Sequence, residues 1–221
     1  MRYRCLIIDH DDTAVDTTPT VHHRAHRASL ALLRPGQEAV DVETWFAKNF
    51  HPGILSYLRD ELGFSDSEMA IEHQVWREHT ALALPEFFPG ILETLAEYQR
   101  RGGAVVVASH SEEDVIRSHY RAARNGHTVN PDLVFGWDLP PEQRKPHPYP
   151  VLETLRRLDL ERSDVLVLDD LKPGVDMAHA AGVDVAAAGW SHDIPAIREF
   201  MRRNCVATFD TVAEFAEFLL D

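Results

Sequence analysis

Leu6-Ile7-Ile8-Asp9-His10-Asp11-Asp12-Thr13 decides how this 221-residue chain reads. Three aliphatic residues of strand type run into three carboxylates packed within four positions. Like charges this close repel, so either a cation sits among them or one acid keeps its proton. The same pattern returns at Asp164-Val165-Leu166-Val167-Leu168-Asp169-Asp170. Two apolar strands tipped with paired acids imply one shared divalent cation held by oxygen ligands. They also imply a carboxylate selected for reactivity.

Outward from the first stretch, residues 4–9 form a predicted strand. Residues 19–34 show a loose apolar helical face of Val21, Ala25, Ala28, Leu30, Leu32 and Leu33, ended by Arg34-Pro35-Gly36. Helices are predicted over 41–61 and 65–82, with Asp41 and Ser65 as caps, and no strand between residues 10 and 103. The strand–helix pattern resumes at Phe88-Pro89-Gly90. A helix over 90–101 leads to the continuous β-branched strand 104–108, as buried parallel strands require. Ser111-Glu112-Glu113-Asp114 reads as a capping box opening a helix over 112–124. A short strand over 133–135 follows. The helix over 149–158 is expected to show Val151, Leu152, Leu155 and Leu158 on one face. Strand 164–169, a helix over 174–181 closed by Gly182, and strands over 183–187 and 205–208 complete the series. This alternation predicts an α/β fold, a Rossmann-like and mostly parallel sheet with helices on both faces. The α/β core takes residues 1–17 and 87–221, and an all-helical insert takes 18–86.

Hydrophobic residues make up 44% of the chain, enough for a sizeable core, and the formal charge is −14. That charge disfavours a nucleic-acid surface, which wants a basic face. It leaves a small anionic substrate open, because the local field matters more than the net charge. The two cysteines, Cys5 and Cys205, lie in apolar runs and read as buried small hydrophobes of a reducing compartment. No signal peptide and no span of membrane length is read, so the expectation is a soluble cytoplasmic protein. Monomer and homodimer both stay open. Lysine occurs only at Lys48, Lys145 and Lys172, which singles out each one.

Ligands of an open parallel sheet sit beyond the carboxyl ends of its strands. Asp9 and Asp11, Ser109 and His110, and Asp169 and Asp170 all follow predicted strands there. Lys145 lies in Arg144-Lys145-Pro146-His147-Pro148. In this order, Asp9-x-Asp11-x-Thr13, Ser109, Lys145-Pro146 and Asp169-Asp170 resemble the four motifs of the haloacid dehalogenase superfamily over about residues 4–187. The helical insert is similar to that family's α-helical cap.

The resemblance implies a phosphatase acting on a small-molecule phosphate ester through an aspartyl-phosphate. Asp9 would be the nucleophile. Asp11 would be the general acid and then the base, the repulsion between the two favouring a proton on Asp11. Lys145 would neutralise phosphoryl charge. Mg²⁺ would bind Asp9, the Asp11 carbonyl and Asp170, with Asp169 in its first or second shell. Ser109, His110 and Asp12 would contact the substrate phosphoryl group, Asp12 through its backbone N–H. The cap would close over the substrate, exclude water and set specificity.

Some positions depart from the family pattern. His10 stands where Leu or Phe is common, Asp12 where Gly is common, Ala14 for a usual Leu, and His110 for a frequent Asn. Asp at position 11 disfavours carbon–halogen and phosphonate cleavage. A phosphoryl mutase and a non-catalytic metal-binding regulator are the two alternatives. In the insert, His22 and His26 have helical spacing for a shared metal, but a solvated or substrate-facing surface is the expected role. Arg24, Arg27, Lys48 and His51 are candidate readers of the substrate's organic end, with a simple surface role favoured for each. Trp45, Phe46 and Trp76 are expected in the insert's core.

Overall fold

The computed structural model describes residues 1–123 and 126–221. The elements run β1 (Cys5–Ile8), α1 (His23–Leu33), α2 (Val42–Phe50), α3 (Ile54–Ser56), α4 (Asp66–Leu82), α5 (Ile91–Arg100), β2 (Ala104–Ala108), α6 (Glu113–Ala122) and β3 (Leu133–Phe135). They continue with α7 (Tyr149–Leu158), β4 (Val165–Asp169), α8 (Lys172–Ala181), β5 (Asp184–Ala188), α9 (Pro195–Asn204), β6 (Ala207–Phe209) and α10 (Val212–Leu220). The chain divides into two compact units, Met1–Asp16 with Glu86–Asp221, and Thr17–Pro85. Among the described residues no helix is long and apolar enough to cross a membrane.

In the first unit one sheet runs in the order β3-β2-β1-β4-β5-β6, and every pairing is parallel. β1 lies in the middle and all four of its residues are fully buried, which its unbroken Cys-Leu-Ile-Ile composition demands. Its register sets Ile8 level with Val107 of β2 and Leu168 of β4. The Asp9 N–H carries the ladder one step further, onto the Leu168 carbonyl at 2.9 Å. The first and second acid clusters therefore emerge side by side from adjacent strands. Tyr3, Leu6, Ile8, Leu95, Tyr98, Leu166, Leu168 and Phe215 are among the core residues beneath them.

The second unit is helical. α1 follows a π-helical turn over Thr18–His22. The single helix expected over 41–61 is broken at His51-Pro52-Gly53, with His51 extended and Gly53 at φ 101°. Proline removes a donor and pushes the residue before it out of the helical region. Asp41 does cap α2, and Ser65 and Glu68 form a capping box on α4, with Arg34 paired to Glu68. Leu30, Trp45, Tyr57, Leu58 and Phe64 form the core of this unit.

The expected solvated or substrate-facing face of α1 needs correction at His26. His26 is fully buried, stacked on Trp45 at 4.2 Å, and neither ring nitrogen makes a hydrogen bond. His22 Nδ1 accepts from Trp76 Nε1 at 3.0 Å, which takes that nitrogen from any metal. Trp76 stacks between His22 and His73 rather than joining the core cluster. Lys48 pairs with Glu61.

Three further readings differ in the first unit. α6 has Glu112 as its N-cap and no side-chain cap, because Ser111 has turned its hydroxyl elsewhere. The expected end of that helix at residue 124 lies outside the described residues. Leu152 is exposed, and α7 buries Pro150, Val151 and Thr154 instead. Helices α9 and α10 are not among the predicted elements; Ala196-Ile197-Arg198-Glu199-Phe200 mixes charge with apolar residues too irregularly to stand out, whereas α10 carries a legible signal in its Thr211–Glu214 capping box and the spacing of Val212, Phe215 and Leu219. Cys5 is buried in β1, Cys205 is half-buried after α9, and both are free.

Candidate active site

Three strand ends and one loop build the site. β1 delivers Asp9, and the chain then folds tightly, with the His10 carbonyl accepting from the N–H groups of Ala14 and Val15. That turn requires a left-handed residue, and Asp12 supplies it at φ 59°. Asp is among the few non-glycine residues that adopt this conformation readily. β4 delivers Asp169 and Asp170. The helix α8 begins at once, and Gly174 in its first turn passes so close to Asp169 that a Cβ there would collide with Asp169 Oδ2.

Lys145 Nζ lies 2.7 Å from Asp9 Oδ1 and 2.8 Å from Asp169 Oδ2, all three side chains being buried. Asp9, Asp169 and Asp170 each bring a carboxylate oxygen within 4.8 Å of the others. Asp170 Oδ1 accepts from Thr13 Oγ1 at 3.4 Å, while Asp170 Oδ2 is buried and accepts no hydrogen bond. His192 Nε2 stands 3.7 Å from that oxygen. Asp11 faces two serine hydroxyls. Its Oδ2 accepts from Ser111 Oγ at 2.6 Å and Ser109 Oγ at 3.1 Å, and Ser109 Oγ in turn accepts from the Ser111 N–H at 3.0 Å. His110 Nε2 lies 3.0 Å from the Lys145 carbonyl oxygen.

The charges explain what the group lacks. Burial works against the Lys145 ammonium, but Asp169 and Asp9 outweigh it and hold its pKa above the ordinary lysine range. Burial pushes Asp9 up from the carboxylate range; Lys145 opposes this, and the like charges of Asp169 and Asp11 add to it. Asp170 is pushed well up, by burial first and then by Asp169, Asp9 and Asp12. Three carboxylates facing one ammonium are short of positive charge. An oxygen-only donor set with one orphaned buried oxygen suits a hard divalent cation.

The structure thus brings together Asp9, Lys145, Asp169 and Asp170, with Asp11, Asp12, Ser109 and His110 on the surrounding loops. Ser109 donates its hydroxyl proton to Asp11, and His110 faces Lys145. Gly174 belongs, with Pro173, to the stretch that resembles the family's fourth motif; Ser111 and His192 are not legible as site residues in the sequence. A second hydroxyl two positions after Ser109 was the available signal for Ser111, and it was read as a helix cap. His192 has no local signal, because it reaches Asp170 only through the return of the chain after β5.

A six-stranded parallel sheet with buried carboxylates and a lysine at the carboxyl ends of its central strands defines an α/β enzyme of the Rossmann-like class. The family profile described as haloacid dehalogenase-like hydrolase matches residues 3–182. The chain belongs to that family and is a hydrolase. It is 25% identical over 203 residues to phosphoglycolate phosphatase 1 of Pseudomonas aeruginosa, covering 89% of this chain and 74% of the relative. It is 24% identical over 223 residues to a phosphoglycolate phosphatase of Mesorhizobium japonicum, covering 97% and 96%. Among solved structures, CbbY of Rhodobacter sphaeroides in complex with phosphate superposes with a TM-score of 0.72 at 23% identity, covering 96% of each chain. The haloacid dehalogenase-like hydrolase SP0104 of Streptococcus pneumoniae gives 0.77 at 18% identity, covering 98% of each.

Proposed function

We propose that this protein is a Mg²⁺-dependent phosphatase of a small phosphorylated metabolite, working through an aspartyl-phosphate. The observation that carries this reading is the Lys145 ammonium bridging Asp9 and Asp169 beside the orphaned Asp170 oxygen. A phosphate monoester is an anionic, sluggish electrophile, so catalysis needs positioning and charge neutralisation more than covalent invention. Asp9 attacks phosphorus, forming the acyl-phosphate bond as the ester P–O bond breaks. Asp11 gives its proton to the departing alkoxide. It then takes a proton from the water that attacks the same phosphorus, releasing phosphate and restoring Asp9. Ser109 and Ser111 orient Asp11 through their hydroxyl protons. Lys145 offsets phosphoryl charge and keeps Asp9 aimed.

Asp9, Asp170 and the Asp11 carbonyl would hold Mg²⁺, with Asp169 beside it. The ion would supply positive charge to the nucleophile and the phosphoryl oxygens. The helical unit, residues 17–85, is read as the cap that sets selectivity. The phosphoglycolate phosphatases among the relatives make 2-phosphoglycolate the first ester to test.

The test is phosphate release by purified protein over 2-phosphoglycolate, sugar phosphates and nucleotides, each with Mg²⁺ and with chelator. Hydrolysis of at least one ester, lost on chelation and in Asp9→Asn, is expected. Turnover by Asp9→Asn at the wild-type rate would overturn the nucleophile assignment.

A further inference from the structure

Lys145 spans two buried carboxylates only while its own backbone is held. The turn around Lys145 is closed by the His147 N–H on the Arg144 carbonyl at 2.8 Å, while Pro146 and Pro148 offer no N–H to tie the lysine's own peptide further. We propose that His110 is a positioning residue for Lys145: its Nε2–H, donated to the Lys145 carbonyl, fixes the backbone from which the ammonium reaches Asp9 and Asp169. This rests on the phosphatase reading for its kinetic consequence.

The bond is 3.0 Å long. A carbonyl oxygen only accepts, so the imidazole carries its proton on Nε2. The ring is itself held. It meets the Trp137 ring edge-on at 5.8 Å and 88°, and the Arg144 guanidinium covers the same indole at 4.0 Å. The Trp137 backbone N–H is in turn tied to the Ser111 carbonyl at 2.9 Å. The loops after β2 and β3 and the lysine loop are thus joined through one imidazole and one indole. Burial, aided by the Lys145 ammonium, lowers the His110 pKa to about 4, so a neutral donor persists through the neutral range.

A different role would send Nδ1 of His110 to the substrate. Amide variants separate the two. His110→Gln keeps a donor at the reach of Nε2 and deletes Nδ1, whereas His110→Asn keeps a polar atom near Nδ1 and gives up that reach. Expected is kcat within about threefold of wild type for Gln, and a loss of about 10²-fold for Asn and for His110→Leu, with KM little changed.

A second readout needs no turnover. The chain has only three lysines, so the ¹⁵N signal of the Lys145 ammonium can be assigned in lysine-labelled protein. It should survive in Gln and broaden or shift in Asn and Leu. Retained kcat in Asn with loss in Gln, or an unchanged Lys145 signal in Leu, overturns the proposal. If Leu fails to fold by circular dichroism, the Gln–Asn pair carries the comparison. If wild-type protein hydrolyses no ester, the phosphatase reading fails, and the Lys145 signal alone decides the role of His110.

Discussion

Ser111 Oγ sits 2.6 Å from Asp11 Oδ2, the shorter of two hydroxyl bonds to one carboxylate oxygen. A hydrogen bond to a charged group is worth about 1.5–3 kcal/mol. Ser111→Ala should therefore lower kcat by roughly 10-fold or more, with Ser111→Thr recovering most of it, as measured at saturating ester. At Gly174 the argument is steric. A methyl there must displace Asp169, whose Oδ2 also serves Lys145. Alanine favours a helix over glycine by about 1 kcal/mol, so any loss has to come from the collision. Gly174→Ala should keep its helical circular dichroism and lose about 10²-fold in activity. Asp9, Asp11, Asp169 and Asp170 were legible because charge crowded against apolar runs is costly without a purpose, and Lys145 because lysine is rare in this chain and its Lys-Pro pair resembles a family motif. The orientation of His110 was not legible, since nothing in a linear order says which way a ring turns.

At the scale of elements, strands were legible where composition left no alternative. β2 and β3 appear with the bounds their β-branched and aromatic residues imply, and α7 runs over its expected 149–158. Pro52 and Gly53 carried enough warning to split the helix over 41–61, but the apolar period on both sides masked it. α4 starts directly after Ser65, its expected cap, and Glu68 completes a capping box there. Ser65→Ala should destabilise the helical unit by about 1 kcal/mol, read as an earlier midpoint in urea.

His26 gives the same unit a pH dependence. Burial, assisted by His23, lowers its pKa from 6.5 to about 4. The unfolded chain then binds the proton that the folded unit refuses. Stability is full above about pH 6.5 and is lost as pH falls toward 4, by up to about 3 kcal/mol. His26→Phe should flatten that slope, seen by comparing melting temperatures at pH 7.5 and pH 5.

On the scale of the whole molecule, ligand linkage tests the cation directly. A cation that binds only the folded state stabilises it by about 2.7 kcal/mol at a hundred times its Kd. Mg²⁺ should therefore raise the melting temperature, and chelator should reverse the rise. Asp170→Asn should abolish the shift while leaving the metal-free melt close to wild type or higher, because one repelling carboxylate is gone. An equal shift in Asp170→Asn would remove that residue from the cation site.

The central place of β1 has a consequence for biosynthesis. This strand leaves the ribosome before both of its neighbours, β2, which starts at residue 104, and β4, which starts at residue 165. At about 5–20 residues per second, a nascent chain waits on the order of 10 s with Leu6, Ile7 and Ile8 unmated. The apolar segment that ends at Asp9 is thus open to self-association over that interval. Chaperone demand during translation should track this delay, and tethering a preformed copy of the carboxyl-terminal half near the tunnel exit should relieve it.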